Sequence, residues 1–292
     1  EADPVVAIVP EAVIDADEKP TLAAVPAPPD LRVPDQATTA TPVALETEAE
    51  PEAVEPMPPE QVAAVSDCAV DLRATPAPAG LVQLALSAPC APLAQVTIHH
   101  QGMMFSALTD PEGAVQVTVP ALAEQALFIA DVRGGGGAVA LVDVPEVAGL
   151  DRAVLQWQGD IGLDLHAREF GADYGSAGHV WSAAPRDAQL ALAAGEGFLL
   201  QLGEPAADQP LMAQVYTFPR ALAHQDGDVV LTVEAEVGTN NCGQEIAAQS
   251  IQIAPGAEPT AIDLTLALPG CDAVGEMLVL SGMLTDLHLA AN

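Results

Sequence analysis

The chain has 292 residues, enough for one large domain or two ordinary ones, and its formal charge is −33 from 41 acidic against 8 basic residues. That balance excludes nucleic acid as a partner, since counterion release needs Lys and Arg, and argues against direct binding of the folded part to anionic membranes. Half the residues are hydrophobic but only 3% are aromatic, so any core is built from small and branched side chains.

Residues 1–66 contain no aromatic residue and only Lys19 and Arg32 as cations. EAEPEAVEPMPPEQVAA (Glu48 to Ala64) is representative: proline and acid without large apolar surface cannot repay the entropy of ordering a core. The composition predicts a disordered, self-repelling tether, in part polyproline II, with a reach of about 45 Å as a flexible chain. A chain opening Glu1-Ala2-Asp3, with no apolar run of about 18 residues, reads as a mature product whose export signal or membrane anchor has been removed. The four cysteines agree with export. None has CxxC spacing, which argues against a zinc ribbon or thioredoxin-like site, and local pairs Cys68–Cys90 and Cys242–Cys271 are expected. Each would close a loop of roughly 20–30 residues and contribute on the order of 3 kcal/mol in an oxidising compartment, periplasmic or extracellular.

From Ser66 the pattern turns to period two. VDLRATPA, GLVQLALSA, AQVTIHH, MMFSALTD, GAVQVTVPAL, QALFIADVRG, AVALVDVP, RAVLQWQG and IGLDLHARE are short alternating runs separated by Gly, Pro and Asp. A second set follows: LDLHARE, GHVWSAA, GFLLQLGE, LMAQVYTFP, DVVLTVEAEVG, EIAAQSIQIAPG, AIDLTLALPG and MLVLSGMLTDLHLA. Helical turns would be unsurprising only in DRAVLQ and DAQLALAA. The predicted class is all-β, with antiparallel sandwich units at 67–159 and 160–292 behind the tether at 1–66, or one large sandwich in their place.

SAPCAPLAQVTIHHQGMMFSALTDPEGAVQVTVPAL resembles the carboxypeptidase-regulatory or transthyretin-like β-sandwich over about residues 87–121. The resemblance rests on Val96, Ile98, Thr109, Asp110, Gly113, Val117, Val119, Pro120 and Ala121. It implies a sandwich fold and an accessory role without an active site. More loosely, the acidic Pro/Ala segment followed by CAVDLRATPAPAGLVQLALSAPCAP resembles a set of alphaproteobacterial envelope proteins, some of them labelled translocase. There is no GxxxxGK[ST] loop and no lysine beyond Lys19, so the resemblance implies an envelope accessory rather than a motor.

Four places could carry chemistry. His99, His100, Met103 and Met104 are the imidazole and thioether ligands that favour copper. With Gln101-Gly102 as a two-residue turn, however, neighbouring side chains point to opposite faces, and only two of the four converge. VRGGGGAV (Val132 to Val139) lies between strand-like runs and not before a helix, so it reads as a hairpin loop rather than a phosphate cradle. DYGSAGHVW brings Asp173, Ser176 and His179 close in sequence, and with His166 and His224 they could form a hydrolase site, although the G-x-S-x-G elbow is missing. AHQDGDVV offers Asp226 and Asp228 to calcium, but DG between strands is also a turn signal. No motif for a resident cofactor stands out, and none is expected. The expected function is a non-catalytic, exported envelope protein that binds or scaffolds an unidentified protein partner. The alternatives are a periplasmic copper-binding protein using the His/Met hairpin and a weak hydrolase in the second unit.

Overall fold

Alternation becomes strand from Asp71 onward. A computed structural model describes residues 68–280 and 282–291, so the tether expected at 1–66 lies outside the described residues. All the described residues fall in one of the two units into which the chain divides, Gln61–Asn292. The fold is all-β and antiparallel, as the periodicity predicts.

Seven strands make the first sandwich: β1 (Asp71–Ala77), β2 (Leu81–Ser87), β3 (Gln95–His100), β4 (Met103–Leu108), β5 (Ala114–Pro120), β6 (Gln125–Val132) and β7 (Gly136–Asp143). They pair as a β1-β2-β5 sheet facing a β4-β3-β6-β7 sheet. In β6, Ala126, Phe128, Ala130 and Val132 are buried while Gln125, Leu127, Ile129 and Asp131 are exposed, the two faces that period two demands. The glycine-rich stretch connects β6 to β7 as a hairpin loop. The turn from Asp110 to Gly113 forms as its residues dictate. The Asp110 carboxylate accepts from the amides of Glu112 (3.0 Å) and Ala114 (2.8 Å). Gly113 takes φ +79°, and a Cβ there would lie 2.1 Å from the Ala88 carbonyl oxygen, so only glycine fits.

The remaining strands are β8 (Asp151–Gln158), β9 (Leu163–Glu169), β10 (His179–Val180), β11 (Phe198–Leu202), β12 (Leu211–Phe218), β13 (Gly227–Glu236), β14 (Glu245–Ile253), β15 (Thr260–Ala267), β16 (Met277–Leu280) and β17 (Leu287–Leu289). They form a β11-β12-β8-β14-β15 sheet and a β10-β9-β13-β16 sheet, with β17 also pairing with β13. DAQLALAA does give a short helix, α1 (Ala188–Ala194), capped by the Asp187 carboxylate on the Gln189 and Leu190 amides. DRAVLQ does not. It is β8, the strand expected from RAVLQWQG, in which polar and apolar side chains alike are buried on both faces and so blur the alternation. β8 also precedes the expected boundary at 159, yet it hydrogen-bonds between β12 and β14 at the centre of the second group's sheet.

That central sheet serves two cores. Val154, Ala213, Val215, Ile251 and Ile253 pack with Leu84, Ile98, Phe105 and Phe128 of the first sandwich. From the opposite face, Ala153, Leu155, Leu199 and Tyr216 pack with Leu165, Val229 and Val233 of the β10-β9-β13-β16 sheet. Two buried polar side chains on β8 stitch the seam. Gln156 accepts from the Met104 amide (2.7 Å) and donates to the Gly102 carbonyl (2.9 Å), satisfying the outer edge of β4. Arg152 is fully buried and donates to Thr217 Oγ1 (2.5 Å) and to the Gly80 carbonyl (2.7 Å). Burial lowers its pKa to about 9.

Both expected disulfides are present, Cys68–Cys90 and Cys242–Cys271, with Cα–Cα separations of 5.0 and 4.9 Å. Such bonds persist in an oxidising, non-cytoplasmic compartment. Among the described residues no helix is long and apolar enough to cross a membrane.

Candidate functional site

The β3–β4 hairpin decides how the first candidate set can act. Gln101 (φ +49°) and Gly102 (φ +86°) form its two-residue turn, and the register pairs His99 with Met104 and His100 with Met103. His100 and Met103 point inward. The His100 ring stacks on Phe128 at 4.1 Å between centroids, its Nδ1 lies 2.8 Å from the Leu127 carbonyl, and its Nε2 accepts from the Leu122 amide at 2.7 Å. Both nitrogens are used, and burial lowers the pKa to about 4. The four side chains are split two and two, as alternation requires, leaving His99 and Met104 together on the outer face.

That outer face is apolar at its centre. The ladder places Leu127 beside Leu141, Ile129 beside Val139, and His99 between Ile129 and Met104. Leu127 (40%), Ile129 (42%), Val139 (60%) and Leu141 (65%) keep large fractions of their surface in water. The next row on one side holds Gln125 and Asp143, and on the other Asp131 and Thr97. Two apolar rows lie between acidic ends.

Asp226 and Asp228 act on the chain itself. Asp226 accepts from the Ala291 amide (2.7 Å), and Asp228 bonds His288 Nδ1 (2.7 Å), so the pair clasps β17 to the start of β13. The Asp226-Gly227 step is not a hairpin turn. It ends a crossover from β12 in one sheet to β13 in the other, through a 3-10 turn at Arg220–Leu222.

The loop candidates separate. Ser176 donates its hydroxyl to the Asp173 carbonyl, and exposed His224 lines a cleft of about 460 Å³ beside Glu169 and Arg186. In that cleft Glu169 accepts from Arg186, the Gly197 amide and the Tyr216 hydroxyl, all within 3.0 Å, so its carboxylate is committed to holding strands together. His166 and His179 do meet, with Nδ1 of the former 2.8 Å from Nε2 of the latter.

Around them, on the outer face of the β10-β9-β13-β16 sheet, stand residues that sequence reading did not connect. His166 Nε2 lies 3.7 Å from both Asp164 Oδ2 and Glu234 Oε2. Tyr174 donates to Glu234, Ser182 donates to Asp164, and Trp181 stacks on both imidazoles at 5.1 and 5.5 Å. The Arg168 guanidinium sits 4.8 Å over the Tyr174 ring. Burial lowers the pKa of His166 and of His179, and the Glu234 hydrogen bond raises that of Tyr174. Alternation alone puts Asp164, His166 and Arg168 on one face of β9. What it does not reveal is that β13, over 60 residues away, supplies Thr232 and Glu234 opposite them.

Among the described residues no three His, Cys, Asp or Glu side chains are placed to hold a metal ion. No protein-family model matches the chain, and no curated protein does either.

Proposed function

We propose that this is a non-catalytic, exported envelope protein that binds another protein through the outer face of the β4-β3-β6-β7 sheet. The observation that carries the reading is the pair of solvent-facing apolar rows, Leu127/Leu141 and Ile129/Val139, extended by Met104. A contiguous apolar patch left in water costs solubility and marks an interface. Charge selects the occupant. A second copy would bring two chains of −33 together with Asp131 and Asp143 at each rim, and an anionic bilayer would be repelled in the same way. The partner that fits is a protein with an apolar centre and a Lys/Arg rim. The resemblance of residues 87–121 to accessory sandwich domains supports the same role, and the disulfides suit the periplasm or cell exterior, where the tether would join the sandwiches to the membrane.

The test is photo-cross-linking in cells from position 141, with the exposed Ile262 position on β15 as control, followed by binding of the purified captured protein. The reading expects capture at 141 but not 262, and a dissociation constant raised about tenfold or more by Val139→Glu with Leu141→Glu. It also expects weakening with added salt. Equal capture at both positions, self-association through the patch, or binding indifferent to the double variant would sink it.

A further inference from the structure

The second histidine cluster takes no part in the proposed binding face, and its hydrogen bonds have a single direction. The Gly175 amide can only donate, so His179 Nδ1, 3.0 Å away, is the acceptor and carries no proton. A neutral His179 therefore bears its proton on Nε2 and donates it to His166 Nδ1. His166 in turn carries its proton on Nε2, facing Asp164 and Glu234. Nε2 is a donor in this arrangement and not a free metal ligand. The loop between Gly171 and Gly178 is held at both ends of this relay, by the Gly175 amide on His179 and by the Tyr174 hydroxyl on Glu234.

We propose that the His166–His179 pair is a proton-operated latch, in which uptake of one proton frees Tyr174 and Gly175 at the loop tip from the sheet while the Ser176 carbonyl stays bonded to the His179 amide. Each ring has one N–H and one acceptor nitrogen, and both acceptors are in use. A proton added at His179 Nδ1 meets the Gly175 N–H head-on, and that bond is lost. A proton added at His166 Nδ1 meets the His179 Nε2–H. The His–His bond then re-forms only when His179 moves its own proton to Nδ1, which again evicts Gly175. The positive charge is best held on His166, between the Asp164 and Glu234 carboxylates, where it draws Glu234 away from Tyr174. The groups facing the pair are Asp164 and Arg168 on β9, Glu234 on β13 and Tyr174 on the loop. Arg168 opposes the charge and the two carboxylates favour it. Burial of the rings keeps the pair neutral near pH 7, so the latch operates below the ordinary histidine range.

The experiment is a pH titration of the intact protein from 8 to 4.5 by NMR. It follows the ring nitrogens of both histidines and the exchange protection of the Gly175 amide, corrected for intrinsic exchange, with the Val154 amide in the central sheet as control. Expected are Nε2–H tautomers for both rings at pH 7.5 and a drop of about tenfold in Gly175 protection that tracks the imidazole titration while Val154 stays protected. His179→Phe, which keeps the stacked ring, should show low Gly175 protection at every pH. Gly175 protection flat across the imidazole titration, the opposite tautomers, or loss of Val154 protection in step with Gly175 would each overturn the proposal. Misfolding of His179→Phe leaves the wild-type titration to decide.

Discussion

His100 shows how one side chain can look like a ligand and serve as a core residue. Its ring fills the space against Phe128 and satisfies a carbonyl and an amide that would otherwise be orphaned in an apolar interior. The cost is pH sensitivity. With the folded pKa near 4 and the unfolded value near 6.5, the unfolded chain takes up the proton first. Stability is therefore full above about pH 6.5 and declines as pH falls from there towards 4, by about 3 kcal/mol for this group alone. Urea midpoints at pH 7.5, 5.5 and 4.5 check this. In His100→Phe the slope over that range should flatten, while stability at pH 7.5 drops by about 1–3 kcal/mol because the Leu127 carbonyl and Leu122 amide lose their partner. Gln156 makes a similar case at the seam. In Gln156→Leu the Met104 amide and Gly102 carbonyl go unsatisfied, and a loss of about 1–3 kcal/mol is expected by chemical denaturation. A titration with copper should leave the His100 ring signals unmoved, since neither nitrogen is free.

Strands with one wet face read one way only, whereas β8, buried on both faces, fitted a strand as RAVLQWQG and a helical turn as DRAVLQ. β6 reads cleanly because polar and apolar residues alternate along it. β8 carries buried side chains on both faces, so its pattern looks like a helix turn or the end of the first unit. The turns were legible where their chemistry is local: Gln101-Gly102 and Asp110 to Gly113 fold as their residues require. Asp226-Gly227 carries a hairpin dipeptide too, yet it ends a crossover, because which strand comes next in the sheet is a tertiary matter. The cysteine pairs were also local, each joining the ends of a short loop. Replacing Cys242 and Cys271 with serine should cost about 2–4 kcal/mol, measured against the wild type under oxidising conditions.

Across the whole molecule the shared sheet couples the two sandwiches. The first sandwich completes its core with Val154, Val215 and Ile251, which belong to a sheet whose other face closes the second. A fragment ending at residue 144 should therefore remain unfolded or aggregate, as circular dichroism and sedimentation would show. Ile251→Ala should cost about 2–5 kcal/mol and lower both sandwiches in a single transition, with no intermediate that keeps one of them. Two separate transitions would show that the seam is weaker than its packing implies.

The sequence by itself determined the all-β class, the turns at Gln101-Gly102 and Asp110 to Gly113, the disulfide pairs and the splitting of the His/Met set across two faces. Each depends on residues close in the chain and on the period-two geometry of a strand. Tertiary structure decided the rest: which strands became neighbours, why β8 sits between two cores, and how Glu234 came to face His166. Those outcomes depend on pairings between segments tens of residues apart, selected by the joint packing of both sandwiches, and no local pattern encodes them.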